Sequence, residues 1–141
     1  MTEPTIHDFH AHIYYDPEEV ELAKQLAAAA QARFPIAVGH FHLRPVGPHP
    51  RGSVQLTVPP EAFGDVAQFL ALNRGDLTIF AHAETGEDLA DHTRHVIWFG
   101  PSEPLDLSIF SSRRPRWARS LRRCAPAKHR APRAAPAVRG R

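Results

Sequence analysis

Nine of the ten histidines of this 141-residue chain lie before residue 96. Imidazole is a group that binds metal ions and transfers protons near neutral pH. The stretch HDFHAHIYYD, residues 7–16, holds three of the ten histidines within six positions. In an extended chain, His10, His12 and Tyr14 lie on one face, and the apolar residues that alternate with them lie on the other. The alternation therefore predicts a strand with one face for a core and one face for polar chemistry.

Later segments add more imidazoles that a sheet could bring to the same place. His40 and His42 are two residues apart in an apolar run, and the others before residue 96 are His49, His82, His92 and His95. Three neutral imidazoles, or two with a carboxylate, can hold a first-row divalent metal ion and leave positions free for substrate and O2. The same spacing also fits an ordinary polar sheet face, so the residues alone leave both interpretations open.

The elements that must position these residues are delimited by helix caps and prolines. Asp16, Pro17 and Glu19 form a helix start signal, and Pro35 ends that helix. A second helix follows Pro60 and ends at a glycine cap. Besides the opening stretch, strands are predicted over residues 36–43, 53–58, 76–82 and 95–100.

The order β-α-β-β-α-β with one further strand predicts the α+β class and a ferredoxin-like sheet with helices on one face. The residues expected to be buried by the helices are Phe9, Ala11, Ile13, Val20, Leu26, Val66 and Leu70. The other face is rich in aromatic and apolar neighbours and needs a cover. We therefore expect a homodimer of the dimeric αβ-barrel type.

The formal charge of +2 conceals two opposite regions. Residues 1–110 contain six basic and all fifteen acidic residues, and residues 111–141 contain eleven basic and no acidic ones. This composition predicts one domain over 1–110 and a disordered Arg/Pro/Ala-rich tail over 111–141, for which nucleic-acid binding is not the favoured role.

The lone Cys124 favours a reducing, cytoplasmic setting. No segment resembles a signal peptide or a membrane span, so we expect no membrane partner.

Three segments carry a resemblance to a known family. FHAHIYYD, VGHFHLRPVGPHPRGSVQLTV and NRGDLTIFAHAETGEDLADHTRHVIWFG occur in that order. Together they resemble the DOPA 4,5-dioxygenase family from residue 6 to about residue 107. The resemblance implies extradiol cleavage of a catechol such as DOPA by a metal, expected to be Fe(II), with O2. Its motif positions give the candidate site residues His10, His12, His42, His49, His82 and His92, whereas His40 and His95 lie outside the pattern.

Roles can be assigned to these candidates from the chemistry. We expect His12, His49 and His82 to bind Fe(II), which another divalent ion such as Zn²⁺ could replace in a purified sample, because they come from three separate elements. His10, His92 and His42 are the candidates for acid–base catalysis, with Asp91 orienting an imidazole.

The substrate-binding candidates are Tyr14, for a phenolate, and Arg44 and Arg51, for a carboxylate. Cross-strand packing for the tyrosine and a plain surface role for the arginines are equally compatible with the sequence. The alternative function is a non-catalytic dimeric αβ-barrel protein that binds a small aromatic acid in the same histidine-lined pocket.

Overall fold

A computed structural model describes residues 2–110 as one antiparallel five-stranded sheet with helices packed against it. The strands lie in the order β2-β3-β1-β4-β5. They are β1 (Asp8–Tyr15), β2 (Ala37–Val38), β3 (Gly52–Val58), β4 (Thr78–Glu84) and β5 (Val96–Phe99), and the helices are α1 (Val20–Arg33), α2 (Phe63–Asn73) and the short α3 (Asp88–Asp91). The predicted α+β, ferredoxin-like fold is confirmed. The predicted tail over 111–141 lies outside the described residues, so its disorder stays a prediction.

Helix α1 begins where the sequence predicted a cap. The backbone N–H of Asp16 donates to the carboxylate of Glu19 at 2.9 Å, and one 3₁₀ turn, Pro17–Glu19, precedes the helix. The helix ends at Arg33, with Phe34 as its extended C-cap, because Pro35 cannot continue it. Its buried residues are mostly alanines, which let the helix lie close to the sheet.

The core fills the space between these helices and one face of the sheet. Of the residues predicted to be buried, Ala11, Ile13, Leu26, Val66 and Leu70 are buried, and Phe9 and Val20 are partly buried and pack against them. The predicted core-facing side of β1, with Phe9, Ala11 and Ile13, is therefore confirmed. Burial of this apolar face contributes the main driving force for folding.

The strand predicted over residues 36–43 is wrong in its extent. Only β2 pairs regularly with β3, and the backbone N–H of Gly39 continues the ladder for one further bond, at 2.8 Å to Gln55. An isolated bridge then joins His42 to Ser53, one residue out of that register. The extra residue is typical of a β-bulge, which bends the strand and turns the following side chains.

The second face of the sheet is covered by segments of the same chain. Tyr14, Phe80 and His82 on this face are at most 1% exposed in the single chain. The loop 44–51 and the segment 101–110, which we call the strap, lie together: the backbone N–H of Asp106 donates to the carbonyl of Pro48 at 2.9 Å. The homodimer stays a prediction, and part of the face that motivated it, including Tyr14 and Phe80, is buried in the single chain.

Among the helices of residues 2–110, none combines the length and the apolar character needed to cross a membrane.

Candidate metal centre and active site

The two central strands bring the histidines of the opening stretch against those of β4. In the antiparallel pairing of β1 with β4, His10 lies opposite His82 and His12 lies opposite Phe80. Because side chains alternate along a strand, all four project from the face that the helices leave uncovered. The pairing thus gathers histidines that are about 70 residues apart in the sequence.

Three of these imidazoles form a group with the geometry of a metal site. His10, His12 and His82 each offer a ring nitrogen, and these three atoms lie within 4.8 Å of one another. The Nε2 atoms of His12 and His82 are 3.2 Å apart. The Nδ1 atom of His82 is 3.0 Å from the carbonyl of Ala83, to which it donates, so its Nε2 atom keeps a lone pair directed at His12.

The electrostatics of the group favour neutral imidazoles. Burial lowers the pKa of His12 well below its usual value and lowers that of His82 to about 4, and neighbouring histidines act in the same direction. Burial also lowers the pKa of His10, against the raising effect of Glu84, whose carboxylate lies 3.6 Å from Nδ1. Neutral imidazole is the form that binds metal, so the donor set fits a divalent ion such as iron or zinc.

His49 reaches the same place from the loop 44–51. Its ring centre is 4.0 Å from that of His12, and its Nδ1 atom is 2.7 Å from the hydroxyl of Tyr14. Burial lowers the pKa of His49 to about 4 and raises the pKa of Tyr14 far above its usual value, so both side chains are uncharged at neutral pH. Tyr14 has no exposed surface, and its contact is with His49 rather than with open space.

A cavity of about 350 Å³ opens beside His12 and His49. It is lined by His12, Gly39, His40, His42, Val46, Gly47, Pro48, His49, Ser53 and Gln55. His40, which the motif pattern left out, therefore belongs to the cavity wall, and its ring lies 4.8 Å from that of His42. A cavity of this volume, lined by polar and apolar residues, suits a small molecule.

His92 borders the group from the side of α3. Its ring centre lies 4.2 Å from that of His82 and 4.7 Å from that of Phe110 in the strap. Its Nδ1 atom donates to the carbonyl of Asp88 at 2.7 Å, which leaves the lone pair on Nε2. His92 is therefore placed to exchange a proton near the histidine group.

The two arginines predicted to bind a substrate carboxylate, Arg44 and Arg51, do not line this cavity. The guanidinium of Arg51 pairs with both carboxylate oxygens of Glu103 at 3.0 and 2.9 Å, and it also contacts Asp16 at 3.1 Å and Glu19 at 3.5 Å. Arg44 is exposed and is not part of the cavity wall. Their role in substrate binding stays a prediction, and for Arg51 the structure gives internal partners instead.

Asp91 orients an imidazole, but of a histidine that the motif pattern left out. Its buried carboxylate accepts hydrogen bonds from the backbone N–H and hydroxyl of Thr85, at 2.8 and 2.7 Å, and from Nδ1 of His95 at 2.8 Å. These hydrogen bonds hold the pKa of Asp91 below its usual value in spite of burial. The two residues are only four apart in the sequence, but His95 lies beyond the end of α3, so helix periodicity did not predict this pair.

Comparison with known proteins connects this chain with a family of dioxygenases. The family model described as "Dopa 4,5-dioxygenase family" matches residues 9–109. A curated protein from Amanita muscaria, named DOPA 4,5-dioxygenase, is 38% identical over 112 residues, covering 73% of this chain and 49% of that protein. An uncharacterized 21.2 kDa protein from Botryotinia fuckeliana is 33% identical over 113 residues, covering 72% of this chain and 62% of that protein.

A crystal structure of a provisionally named dioxygenase from Nostoc punctiforme has the same fold, with a TM-score of 0.74 and 34% identity. The similarity covers 76% of this chain and 93% of that one. The chain thus spans about half the length of the Amanita relative but almost all of the solved structure.

Proposed function

This chain belongs to the Dopa 4,5-dioxygenase family, and from that membership we propose that it is an Fe(II)-dependent extradiol dioxygenase acting on a catechol such as DOPA. The observation that supports the metal is the convergence of His10, His12 and His82 within 4.8 Å on one sheet face. The cavity beside them, about 350 Å³, supports a small aromatic substrate.

The proposed reaction breaks one ring C–C bond next to a hydroxyl-bearing carbon. Both atoms of O2 enter the product, a ring-opened semialdehyde acid, so no further oxidant or reductant is consumed. A bound Fe(II) would supply the Lewis acidity that favours a deprotonated catechol and the redox chemistry needed for reaction with O2.

The protein's own residues have three tasks in this proposal. His10, His12 and His82 hold the metal as neutral imidazoles, in a buried place where the low pKa values favour the lone pair. His92 accepts or returns a phenolic proton through Nε2, because its Nδ1 is engaged by Asp88. The loop 44–51 and the strap limit the access of water to the buried face.

This set of roles differs from the sequence-based assignment because His10 replaces His49 as a metal ligand. The sequence analysis gave His49 to the metal and His10 to acid–base catalysis, whereas the structure groups His10 with His12 and His82. His42 lies on the cavity wall next to His40 and outside the group of His10, His12 and His82. The predicted catalytic role of His42 is therefore retained as a role toward substrate.

The test combines metal content with ring cleavage. We expect protein prepared anaerobically with Fe(II) to bind about one ion per chain and to convert a catechol to a yellow ring-opened product. The His12→Ala variant should lose the metal and the activity together, because two remaining protein ligands bind an ion far more weakly. The His7→Ala variant, which removes an exposed imidazole from the same segment, is the matched control and should keep its metal.

The alternative, a non-catalytic protein that binds an aromatic acid, gives a different result. It would bind a catechol carboxylic acid without metal and without a change in absorbance from ring opening. A cytoplasmic setting, which favours Fe(II) over Fe(III), and a homodimeric state are parts of the proposal that cell fractionation and light scattering would test.

A further inference from the structure

The hydroxyl of Tyr14 has one partner within residues 2–110, the Nδ1 atom of His49 at 2.7 Å. The tyrosine side chain is fully buried, so no water replaces that partner. A buried hydroxyl hydrogen that is left without an acceptor destabilises the folded chain, because nothing replaces the hydrogen bond that water gave it in the unfolded chain. The phenol hydrogen is therefore donated to the Nδ1 atom of His49.

This hydrogen bond fixes the position of the proton on His49. A neutral imidazole has one protonated and one unprotonated nitrogen, and the one that accepts a hydrogen bond must be unprotonated. If Nδ1 accepts from Tyr14, then Nε2 bears the proton. An Nε2–H that is fixed by a hydrogen bond at Nδ1 offers no lone pair to a metal ion. The Nε2 atom of His82 is the opposite case, because its Nδ1 donates to Ala83 and Nε2 is left unprotonated.

We infer that Tyr14 holds His49 as its Nε2–H tautomer, which makes His49 a hydrogen-bond donor to a substrate oxygen in the adjoining cavity rather than a metal ligand. His49 is part of the cavity wall, and its ring lies 4.0 Å from that of His12, so a donor here is next to the candidate metal group. Tyr14 is then a positioning residue that acts through His49. The donor role rests on the proposed function, whereas the tautomer does not.

The tautomer can be measured directly on the full chain without metal or substrate. In protein labelled with ¹⁵N-histidine, long-range ¹H–¹⁵N correlation spectra distinguish the protonated ring nitrogen from the unprotonated one. The signals of His49 are those lost in the His49→Gln variant. We expect Nε2 to be protonated and Nδ1 to be a hydrogen-bonded acceptor, and the Tyr14→Phe variant to shift the Nδ1 signal. A protonated Nδ1 in the unmodified protein would overturn the inference.

Metal content gives a second readout that does not depend on activity. Glutamine places a side-chain amide N–H close to the position of Nε2, so His49→Gln should bind Fe(II) or Zn²⁺ as well as the unmodified chain does, whereas His82→Ala should lose the ion. Loss of metal in His49→Gln to the extent seen in His82→Ala would show that His49 is a ligand and would overturn the inference.

Turnover distinguishes a donor from a purely structural side chain. At saturating catechol we expect His49→Leu to lower kcat by about 10²–10³-fold, the usual effect of removing one donor, and His49→Gln to recover at least about tenfold of that loss. Equal kcat values for the two variants would overturn the donor role. If the unmodified protein cleaves no catechol, the proposed function fails, and the spectra and metal contents still decide the tautomer.

Discussion

At the scale of single residues, burial of neutral imidazoles makes this site sensitive to acid. The structure lowers the pKa of His12, His49 and His82, with desolvation as the largest cause in each case. Each of these groups binds a proton less readily in the folded chain than in the unfolded chain. Between pH 6.5 and about 4, the unfolded state therefore holds more protons than the folded state.

The first prediction is a loss of stability over that pH range. For the metal-free protein, we expect the free energy of unfolding to be highest above about pH 6.5 and to fall as the pH decreases toward 4, because a lowered folded-state pKa stabilises only above the unfolded-state value. Urea unfolding at a series of pH values measures this slope. A His82→Leu variant should show a shallower slope, and a stability independent of pH across this range would contradict the prediction.

The alternation of the opening stretch was enough to place His10, His12 and Tyr14 on one face, because a strand has a period of two. It could not show that the hydroxyl of Tyr14 would meet His49, since that contact depends on how a loop of three prolines folds back over the sheet. For the same reason the internal partners of Arg51 were not predictable: its acceptors, Asp16, Glu19 and Glu103, come from two segments that lie far apart in the sequence.

At the scale of elements, the junction of β1, β3 and the bulged segment is packed too closely for any side chain at Gly52. A Cβ atom there would lie 2.9 Å from the carbonyl of His42 and 2.9 Å from the ring of Tyr15. Tyr15 also stabilises this junction, because its hydroxyl donates to the carbonyls of His42 and Ser53 at 2.7 and 2.9 Å. The junction thereby holds the segment that carries His42 against the sheet.

The second prediction compares two glycine substitutions. Gly52→Ala should lower the free energy of unfolding by about 1–3 kcal/mol, because the added methyl group meets backbone atoms that cannot easily move. Gly64→Ala, in α2 and with open space around the new methyl group, should raise it by about 0.5–1 kcal/mol through helix propensity. Thermal unfolding of both variants measures the difference, and a neutral Gly52→Ala would refute the packing argument.

Two hydrogen bonds between Arg51 and Glu103 connect the strap to the loop 44–51. The third prediction is that Glu103→Gln lowers the free energy of unfolding by about 1–2 kcal/mol and increases proteolytic cleavage within residues 101–110, because a half-buried charged pair is lost. Glu21→Gln, which breaks the exposed pair with Lys24, is the control and should change stability by less than about 0.5 kcal/mol. Equal protease resistance in both variants would argue against this role of the strap.

Helices and strands were predicted correctly where the local sequence pattern also marked their ends. Both long helices had clear start and stop signals, and both were predicted. The strand over 36–43 looked continuous because apolar residues recur throughout IAVGHFHL, but the pattern does not record the one-residue bulge before His42. The strap was not anticipated either, since its few contacts with Arg51, Pro48 and His92 are all long-range.

At the scale of the whole molecule, the chain divides by charge at the point where the family similarity ends. The family model matches residues 9–109, and residues 1–110 carry a formal charge of −9 from six basic and fifteen acidic residues. The remaining residues, 111–141, carry eleven basic residues. A polyanion would therefore be attracted by the second region and repelled by the first.

The last prediction is that the two regions are functionally separable. A chain ended after Phe110 should keep its melting temperature to within about 3 °C, because the core and the described loops lie within it. It should also keep its metal content, since His10, His12 and His82 all precede the cut. The full chain should bind heparin at low salt with an affinity that falls steeply as salt is added, and the shortened chain should not bind, because its net charge is negative. A large fall in melting temperature on truncation would mean that residues 111–141 pack against the domain, and loss of metal alone would mean that they contribute to the site.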